Sequence, residues 1–148
     1  MTEAESGGDG VAATEVGLPQ GRTPLIRLPA TPQVANKGGS IFGGWIMSQV
    51  DICGSIPAEI RAGGRIVTRA VHSFEFKKPV FVGDLIACYA DIIKEGRSSM
   101  HIFVEVYAQR IRGAVIECIK VTEATVIYVA VDEQGRPRSL PPKKTSGA

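Results

Sequence analysis

The sequence predicts a single α+β domain in which one long helix lies across an antiparallel β-sheet. An amphipathic segment from Ile41 places apolar residues at spacings of three and four, which is typical of a helix. After Gly64 the chain becomes rich in Val, Ile, Tyr and Phe, with short turns between the runs. With 148 residues and 44% hydrophobic content, the chain is long enough to fill one core.

The two ends of the chain are predicted to be disordered tails. Residues 1–20 are rich in Gly, Ala, Glu and Thr without any period, and residues 142–148 are similarly irregular. The predicted domain spans residues 21–141. Within it, residues 23–27 are expected to form a short first strand. Residues 28–39 contain two prolines, an asparagine and paired glycines, and are expected to form an exposed loop.

The helix is predicted from one stripe of mostly apolar residues: Phe42, Trp45, Ile46, Gln49, Val50 and Cys53. Ser40 is the expected N-cap, and the Gly63-Gly64 pair is the expected stop. Pro57 lies inside this segment and lacks the amide proton that a helix needs, so a kink or an early end is expected there.

Four long strands are predicted after the helix, at residues 66–76, 85–94, 98–110 and 115–131. The short separators between them favour hairpins and an antiparallel sheet. Such a sheet leaves an edge strand unpaired, and long apolar edges are usually covered or paired with a second subunit. A homodimer or a higher assembly is therefore expected.

Charge and cysteine usage exclude several functional classes. The net charge of +2 is small and the basic residues are scattered, which does not favour nucleic-acid binding. Cys53, Cys88 and Cys118 are odd in number, far apart and in apolar surroundings, so they are expected to be reduced core thiols rather than disulfides or metal ligands. No segment has the roughly 20 apolar residues of a membrane span, and no secretory signal is evident. A cytoplasmic protein without membrane insertion is expected.

The start of the predicted helix is the first candidate for chemistry. Gly43 and Gly44 are each poorer helix formers than alanine by about 1 kcal/mol, which suggests that the backbone must approach something closely there. The first helical amides are unpaired and can hold a carbonyl oxygen as it becomes an oxyanion. Asp51 follows Gly44 by seven residues and lies on the same side, with Ser48 and Ser55. It is an acid on a semi-polar face.

Each of these features alone has a purely structural interpretation. Asp51 could be a solvent-exposed or inter-subunit carboxylate, because functional carboxylates are a minority. Asn36 could simply close a turn. The Gly43-Gly44 pair could simply allow tight packing of Trp45. Their joint occurrence is what points to a site.

A series of motifs in a fixed order runs through most of the chain. They are Asn36, Gly39, IFGGWIMSQVD at 41–51, RIVT at 65–68, FKKPVFVGD at 76–84, KEGRSS at 94–99, TEATVIYVAVD at 122–132 and GRPRSLP at 135–141. Together they resemble the YciA-type acyl-CoA thioesterases of the hotdog superfamily. The resemblance implies a hotdog fold, in which a sheet wraps one central helix. It also implies that subunits pair edge to edge as a homodimer, commonly within a hexamer, and hydrolyse fatty or short acyl-CoA esters at the dimer interface.

The resemblance also implies roles for individual residues. Asp51 matches the catalytic carboxylate, acting as a general base or as a nucleophile. Asn36 matches a loop asparagine that joins this carboxylate across the subunit boundary. The amides of Gly43 and Gly44 match the helix end that polarises the thioester carbonyl.

The implied substrate-binding residues lie on two later segments. Thr68 matches a residue near the thioester, and the turn Gly96, Arg97, Ser98 and Ser99 matches the region that binds the nucleotide and pantetheine of CoA. Neither a metal nor a cofactor is implied, since CoA is part of the substrate and product.

The sequence departs from the family pattern at Pro57 and at residues 62–64, so the back of the helix and the acyl tunnel are expected to differ from those of the family. Three other functions stay open. A hotdog dehydratase would use a histidine, but nothing places His72 or His101 beside an acid, and both are expected to be structural or surface residues. A non-catalytic acyl-CoA binding or sensing protein would have no need of Asp51. A purely structural oligomer would leave the glycine pair unexplained.

Overall fold

The computed structural model describes residues 16–143 and contains one long α-helix and five strands within them. The elements are β1 (Ile26–Pro29), a 3₁₀ turn (Pro32–Val34), α1 (Gly43–Ala62), β2 (Ile66–Phe76), β3 (Leu85–Glu95), β4 (Ser99–Arg112) and β5 (Val115–Ala130). The parts of the predicted tails at 1–15 and 144–148 lie outside the described residues. The predicted α+β class, with one long helix on an antiparallel sheet, is confirmed.

The five strands form one sheet in the order β1-β3-β4-β5-β2, and every neighbouring pair is antiparallel. Strands β3, β4 and β5 follow one another as hairpins in the centre of the sheet. Strand β2 leaves the helix and pairs with the far side of β5, so the long connection between β2 and β3 crosses from one edge of the sheet back to the interior. The two edges of the sheet are β1 and β2.

The helix packs its apolar stripe onto one face of this sheet. Its buried residues include Ile46, Val50 and Cys53, and they belong to the same core as Ile102 of β4 and Val126 of β5. Alternate residues of β4 and β5 are buried against the helix, as expected for strands with one covered face. Burying each such side chain contributes about 1.5–3 kcal/mol, so this contact fixes the position of the helix.

The helix begins differently from the prediction. Its N-cap is Phe42, not Ser40, and no side chain caps it. The Ser40 hydroxyl instead accepts a hydrogen bond from the Asn36 side chain at 2.7 Å. The backbone of Ile41 is fixed separately, because its amide donates to Val80 O at 2.8 Å. Phe42 therefore lies outside the buried stripe, and its side chain is 56% exposed.

The helix end follows the prediction, but the early end that was one expected effect of Pro57 is not seen. Gly63 is the C-cap in the left-handed region, with φ of 66°. The helix does not end early at Pro57 but continues to Ala62. Ala58 and Ala62 are both buried in the core, and this packing holds the last turn in place against the local cost of the proline.

The first part of the domain is more ordered than predicted. Strand β1 begins at Ile26, where it pairs with Cys88, and it includes Leu28 and Pro29, which the sequence pattern places in the following loop. The predicted N-terminal tail overlaps the described residues at 16–20, and there Leu18 is buried in a small cluster with Ala87 and Tyr89. Leu18 covers the outer face of β3. The folded part of the chain therefore starts before residue 21.

The edge strand β2 leaves apolar side chains uncovered in the single chain. Val67, Val71 and Phe76 are all exposed, and the outer edge of β2 has no neighbouring strand among residues 16–143. An edge of 11 residues with exposed apolar side chains is the kind that proteins pair or cover.

Ion pairs fix two other parts of the fold. Asp84 is only 2% exposed, and Arg110 donates to both of its carboxylate oxygens at 2.9 Å. On the sheet face away from the helix, Glu105 accepts hydrogen bonds from Arg22 and Lys120. Burial raises the pKa of Glu105, but the bonds from Lys120 and Arg22 outweigh it and hold that pKa below its ordinary value.

No helix among residues 16–143 is long and apolar enough to cross a membrane.

Candidate active site

Asp51 lies in the middle of the helix and is held by side chains of two neighbouring strands. Thr68 of β2 donates a hydrogen bond from its hydroxyl to Asp51 Oδ1 at 2.7 Å. The hydroxyl of Tyr128, on β5, lies 3.1 Å from the same Oδ1 and donates to the Asp51 carbonyl oxygen at 2.6 Å. The structure thus brings together two of the predicted site residues, Asp51 and Thr68, and adds Tyr128 to them.

Tyr128 is a site residue that sequence reasoning missed. Its side chain is fully buried on the helix-facing side of β5, directly opposite Thr68 in the β2–β5 ladder. Burial, and then the nearby Asp51 carboxylate, raise the pKa of Tyr128 well above its ordinary value, so the ring stays protonated and acts as a donor. The available signal was a tyrosine within a strand whose alternate residues face the helix, because a buried tyrosine hydroxyl needs a partner.

Gly54 explains how Tyr128 can reach the carboxylate. A Cβ at this buried mid-helix position would lie 2.5 Å from the Tyr128 hydroxyl oxygen and 3.1 Å from its ring. Only glycine leaves room for the tyrosine to cross the helix surface and contact Asp51. The signal in the sequence was a glycine in the interior of a helix, where it costs about 1 kcal/mol relative to alanine.

The side-chain hydrogen bonds to Asp51 leave one oxygen open. Within residues 16–143, both donors contact Oδ1, so Oδ2 is free to interact with water or with a substrate. Asp51 is half-buried rather than fully exposed. A carboxylate that is fixed through one oxygen and open through the other can accept a proton or attack an electrophilic carbon.

The helix start presents the two predicted glycines in different surroundings. The amides of Trp45 and Ile46 donate to the Phe42 carbonyl oxygen, while those of Gly43 and Gly44 belong to the first turn, which lacks intrahelical partners. A Cβ at Gly44 would meet nothing within 4 Å. Gly43 lies against the Phe76 ring, and a Cβ there would be 3.1 Å from it. The interpretation that the glycine pair allows tight packing of Trp45 therefore does not account for Gly43.

Asn36 is not brought to Asp51 within one chain. Its Oδ1 accepts hydrogen bonds from the amides of Gly38 at 2.9 Å and Ser40 at 3.3 Å, and its Nδ2 donates to the Ser40 hydroxyl. Asn36 therefore closes its own loop just before the helix. The structure fixes the asparagine but gives it no contact with the carboxylate of the same chain.

The turn predicted to bind CoA joins β3 to β4. Its backbone is closed by a hydrogen bond from the Gly96 amide to Ser99 O at 2.8 Å, and the Leu140 amide donates to Arg97 O at 2.8 Å. The Arg97 side chain is exposed. The turn lies close to the Tyr128 end of the site, because Met100, the residue that follows it, pairs with Tyr128 in the β4–β5 ladder.

The remaining chemistry-bearing residues lie elsewhere. Cys53 and Cys88 are buried, Cys118 is half-buried, and all three are free thiols. His72 and His101 stack with ring centroids 6.4 Å apart, and neither contacts Asp51. Among the described residues, no group of three or more His, Cys, Asp or Glu side chains could hold a metal ion.

Comparison with known proteins identifies the family. A sequence model of the thioesterase superfamily matches residues 38–115, which include the whole helix and strands β2 to β4. The chain belongs to the thioesterase superfamily.

Relatives of this thioesterase-superfamily chain are similar over nearly their whole length. The acyl-CoA thioester hydrolase YciA of Salmonella typhimurium is 47% identical over 124 residues, which are 83% of this chain and 92% of that protein. The protein of the same name from Escherichia coli is 44% identical over 130 residues, or 87% and 98% of the two chains. The predicted resemblance to YciA-type thioesterases is therefore confirmed.

Solved structures agree with the fold. A hexameric hotdog fold thioesterase of Campylobacter jejuni aligns with a TM-score of 0.78 at 40% identity, covering 81% of this chain and 91% of the other. A hexameric thioesterase from Yersinia pestis aligns with a TM-score of 0.77 at 46% identity, covering 85% of this chain and 100% of the other. The predicted hotdog fold is confirmed.

Proposed function

We propose that this member of the thioesterase superfamily hydrolyses acyl-CoA thioesters to free CoA and a carboxylic acid. The observation that carries the proposal is the Asp51 carboxylate, which Thr68 and Tyr128 hold through one oxygen while the other stays open. Relatives at 44–47% identity are named acyl-CoA thioester hydrolases, and their names supply the class of substrate.

The proposed reaction uses two groups, the first amides of the helix and the open oxygen of Asp51. The amides of Gly43 and Gly44 receive the thioester carbonyl oxygen and stabilise the negative charge that develops on it. Asp51 Oδ2 either takes a proton from water, whose oxygen then attacks the carbonyl carbon, or attacks that carbon itself. In the first route the C–S bond breaks and the proton that Asp51 took from water passes to the CoA thiolate. In the second route the C–S bond breaks to leave a mixed anhydride on Asp51; water then hydrolyses this anhydride, which frees the carboxylic acid and Asp51, and a proton from that water goes to the thiolate. General-base catalysis contributes about 10² to 10⁴ in rate and one oxyanion donor about 10² to 10³.

The rest of the substrate is proposed to extend towards the β3–β4 turn. The exposed guanidinium of Arg97 is suited to the phosphates of CoA, because arginine offers paired donors to phosphate oxygens. Ser98 and Ser99, with the Gly96 backbone, are proposed to contact the pantetheine. Hydrolysis transfers no electrons and CoA leaves as product, so we propose no separate cofactor.

The geometry favours a site that two protomers build together. Asp51 follows the glycine pair by seven to eight residues, which is about 11 Å along the helix axis at about 1.5 Å per residue. A carbonyl group is only about 1.2 Å long, and reacting atoms approach to about 3–3.5 Å. The amides of one protomer are therefore proposed to act with Asp51 of the partner subunit, and Asn36 to join that carboxylate across the boundary.

A homodimer follows from this arrangement. We propose that the exposed edge strand β2, with Val67 and Val71, pairs with the same strand of a second protomer. The similar proteins of Campylobacter jejuni and Yersinia pestis are hexameric, which supports a trimer of such dimers.

The proposed activity is tested by measuring free-thiol release from a panel of acyl-CoA esters, from short to long chains, with the purified protein. Hydrolysis well above the rate without protein supports the proposal and ranks the substrates. If no ester is hydrolysed although acyl-CoA binds, a non-catalytic binding protein replaces the enzyme.

The shared site is tested by mixing two inactive variants, Asp51→Asn and Asn36→Ala, through co-expression. In a mixed dimer, one interface site then carries both substitutions and the other carries neither. The mixture is expected to recover about a quarter of the wild-type rate, since half of the dimers are mixed and each has one intact site. If each site were built within one protomer, mixing would restore no activity.

A further inference from the structure

Arg61 lies in the last turn of α1 and joins two segments that meet beside the β3–β4 turn. Its Nε and Nη2 donate to the two carboxylate oxygens of Glu95 at 2.8 and 3.2 Å, and its Nη1 donates to Pro141 O at 2.7 Å. The side chains of Arg61 and Glu95 are only 17% and 19% exposed. A bidentate pair of this kind has a better-defined geometry than an ordinary surface ion pair.

Both partners of this guanidinium are connected to the turn at residues 96–99. Glu95 is the last residue of β3 and directly precedes the turn. Pro141 follows Leu140, whose amide donates to Arg97 O at 2.8 Å. A single side chain of the helix therefore holds the turn at its start through Glu95 and in its middle through the C-terminal segment.

We propose that Arg61 is a positioning residue for CoA: it fixes the β3–β4 turn so that the guanidinium of Arg97 meets the phosphates of CoA. The inference rests on the proposed function, which assigns those phosphates to Arg97. Arg61 follows Asp51 by ten residues, which is about 15 Å along the helix axis at about 1.5 Å per residue. It is therefore far from the reacting atoms and acts on substrate binding, not on the chemical step.

The effect on binding follows from the freedom of the turn. A ligand binds more tightly to a loop that already has its bound shape, because ordering the loop on binding costs free energy. The Arg97 side chain is exposed, so the fold fixes it in advance through its backbone. Without the Arg61 guanidinium, Glu95 and Pro141 lose their shared donor, and the turn becomes free to move. The affinity for CoA then falls, while the groups that perform the reaction stay in place.

The test measures the dissociation constant of free CoA by calorimetry and kcat at saturating butyryl-CoA. Arg61→Met removes every donor of the side chain but keeps much of its length. We expect the dissociation constant to rise by about tenfold and kcat not to fall. Arg136→Ala is the matched control, because Arg136 is an exposed arginine of the same C-terminal segment that pairs with Asp132. It should leave both values unchanged.

A double-mutant cycle shows whether Arg61 acts through Arg97. Arg97→Ala removes the side chain that is proposed to bind phosphate, so adding Arg61→Met should weaken CoA binding much less than it does in the wild type. A loss of packing or stability would persist in both backgrounds. If Arg61→Met does not fold, Glu95→Gln breaks the bidentate pair from the other side and is expected to raise the dissociation constant in the same direction.

The inference is overturned if Arg61→Met leaves the dissociation constant of CoA unchanged, or raises it equally with and without Arg97. A fall in kcat with no change in CoA affinity also overturns it. If the wild type binds CoA but hydrolyses no ester, the proposed function fails, and the cycle on CoA affinity still decides the role of Arg61. Absence of CoA binding by the wild type overturns both.

Discussion

Replacing Gly54 with alanine sets the local preference of the helix against the packing of its buried face. The new Cβ would lie 2.5 Å from the Tyr128 hydroxyl oxygen, 3.1 Å from Cε2 and 3.2 Å from Cζ. Tyr128 is fully buried and cannot turn out to solvent. The ring must therefore shift, and its hydroxyl must withdraw from the Asp51 carboxylate.

The two effects of Gly54→Ala have opposite signs. Helix propensity alone favours alanine by about 1 kcal/mol in a helix interior. Overpacking costs about 1–3 kcal/mol, and a lost hydrogen bond to a charged group costs about 1.5–3 kcal/mol. The packing effects are larger, so the free energy of unfolding is expected to fall by on the order of 2–4 kcal/mol.

Urea unfolding measures this change, and a second substitution identifies its cause. Tyr128→Phe removes the oxygen that the new Cβ approaches most closely, so Gly54→Ala should cost much less stability in the Tyr128→Phe background than in the wild type. If Gly54→Ala is as stable as the wild type or more stable, helix propensity outweighs the contact with Tyr128, and the contact does not limit residue 54 to glycine.

Three further predictions concern other contacts of the fold and the site. Thr68→Val should lower kcat/KM for acyl-CoA by about ten- to a hundredfold, because the carboxylate loses a charge-assisted hydrogen bond; an unchanged value would remove Thr68 from the site. Arg110→Ala leaves the buried Asp84 charge unpaired and should lower the free energy of unfolding by about 3–5 kcal/mol, whereas the exposed Arg136→Ala should change it by less than about 1 kcal/mol. The pKa of Glu105 is lowered in the folded state, so its contribution to stability is present above the unfolded pKa and is lost as the pH falls through the folded pKa. Unfolding in urea across the acid range should therefore show a weaker pH dependence in Glu105→Gln, and an unchanged dependence would contradict the assigned ion pairs.

The fold could be predicted from the sequence wherever local pattern and tertiary packing agree. The stripe through Val50 and Cys53 predicts the helix face that is buried, and the glycine at 63 predicts its end. The strands start within a few residues of their predicted positions because turns separate apolar runs. One predicted alternative, an early end of the helix at Pro57, is wrong because packing overrides local preference there: the following turn is buried in the core.

The site could be predicted only in part, for a related physical reason. Asp51 and Thr68 were identified by motif, and their contact is a property of the fold. Tyr128 was missed because a tyrosine in a strand is ordinary, and its partner is 77 residues away in sequence. The sequence alone does not explain the glycine at position 54, because the explanation is its contact with Tyr128 in the folded chain.

The rate of thiol release by Asp51→Asn, beside that of the wild type, tests the catalytic role of the carboxylate. Asparagine keeps an oxygen that can accept the bonds from Thr68 and Tyr128, but it cannot take a proton or attack the thioester. Glu59→Gln is the matched control, since Glu59 is an exposed acid on the same helix. Asp51→Asn is expected to lose about 10² to 10⁴ in kcat, and the control none. Full activity in Asp51→Asn would show that the carboxylate does not carry the reaction.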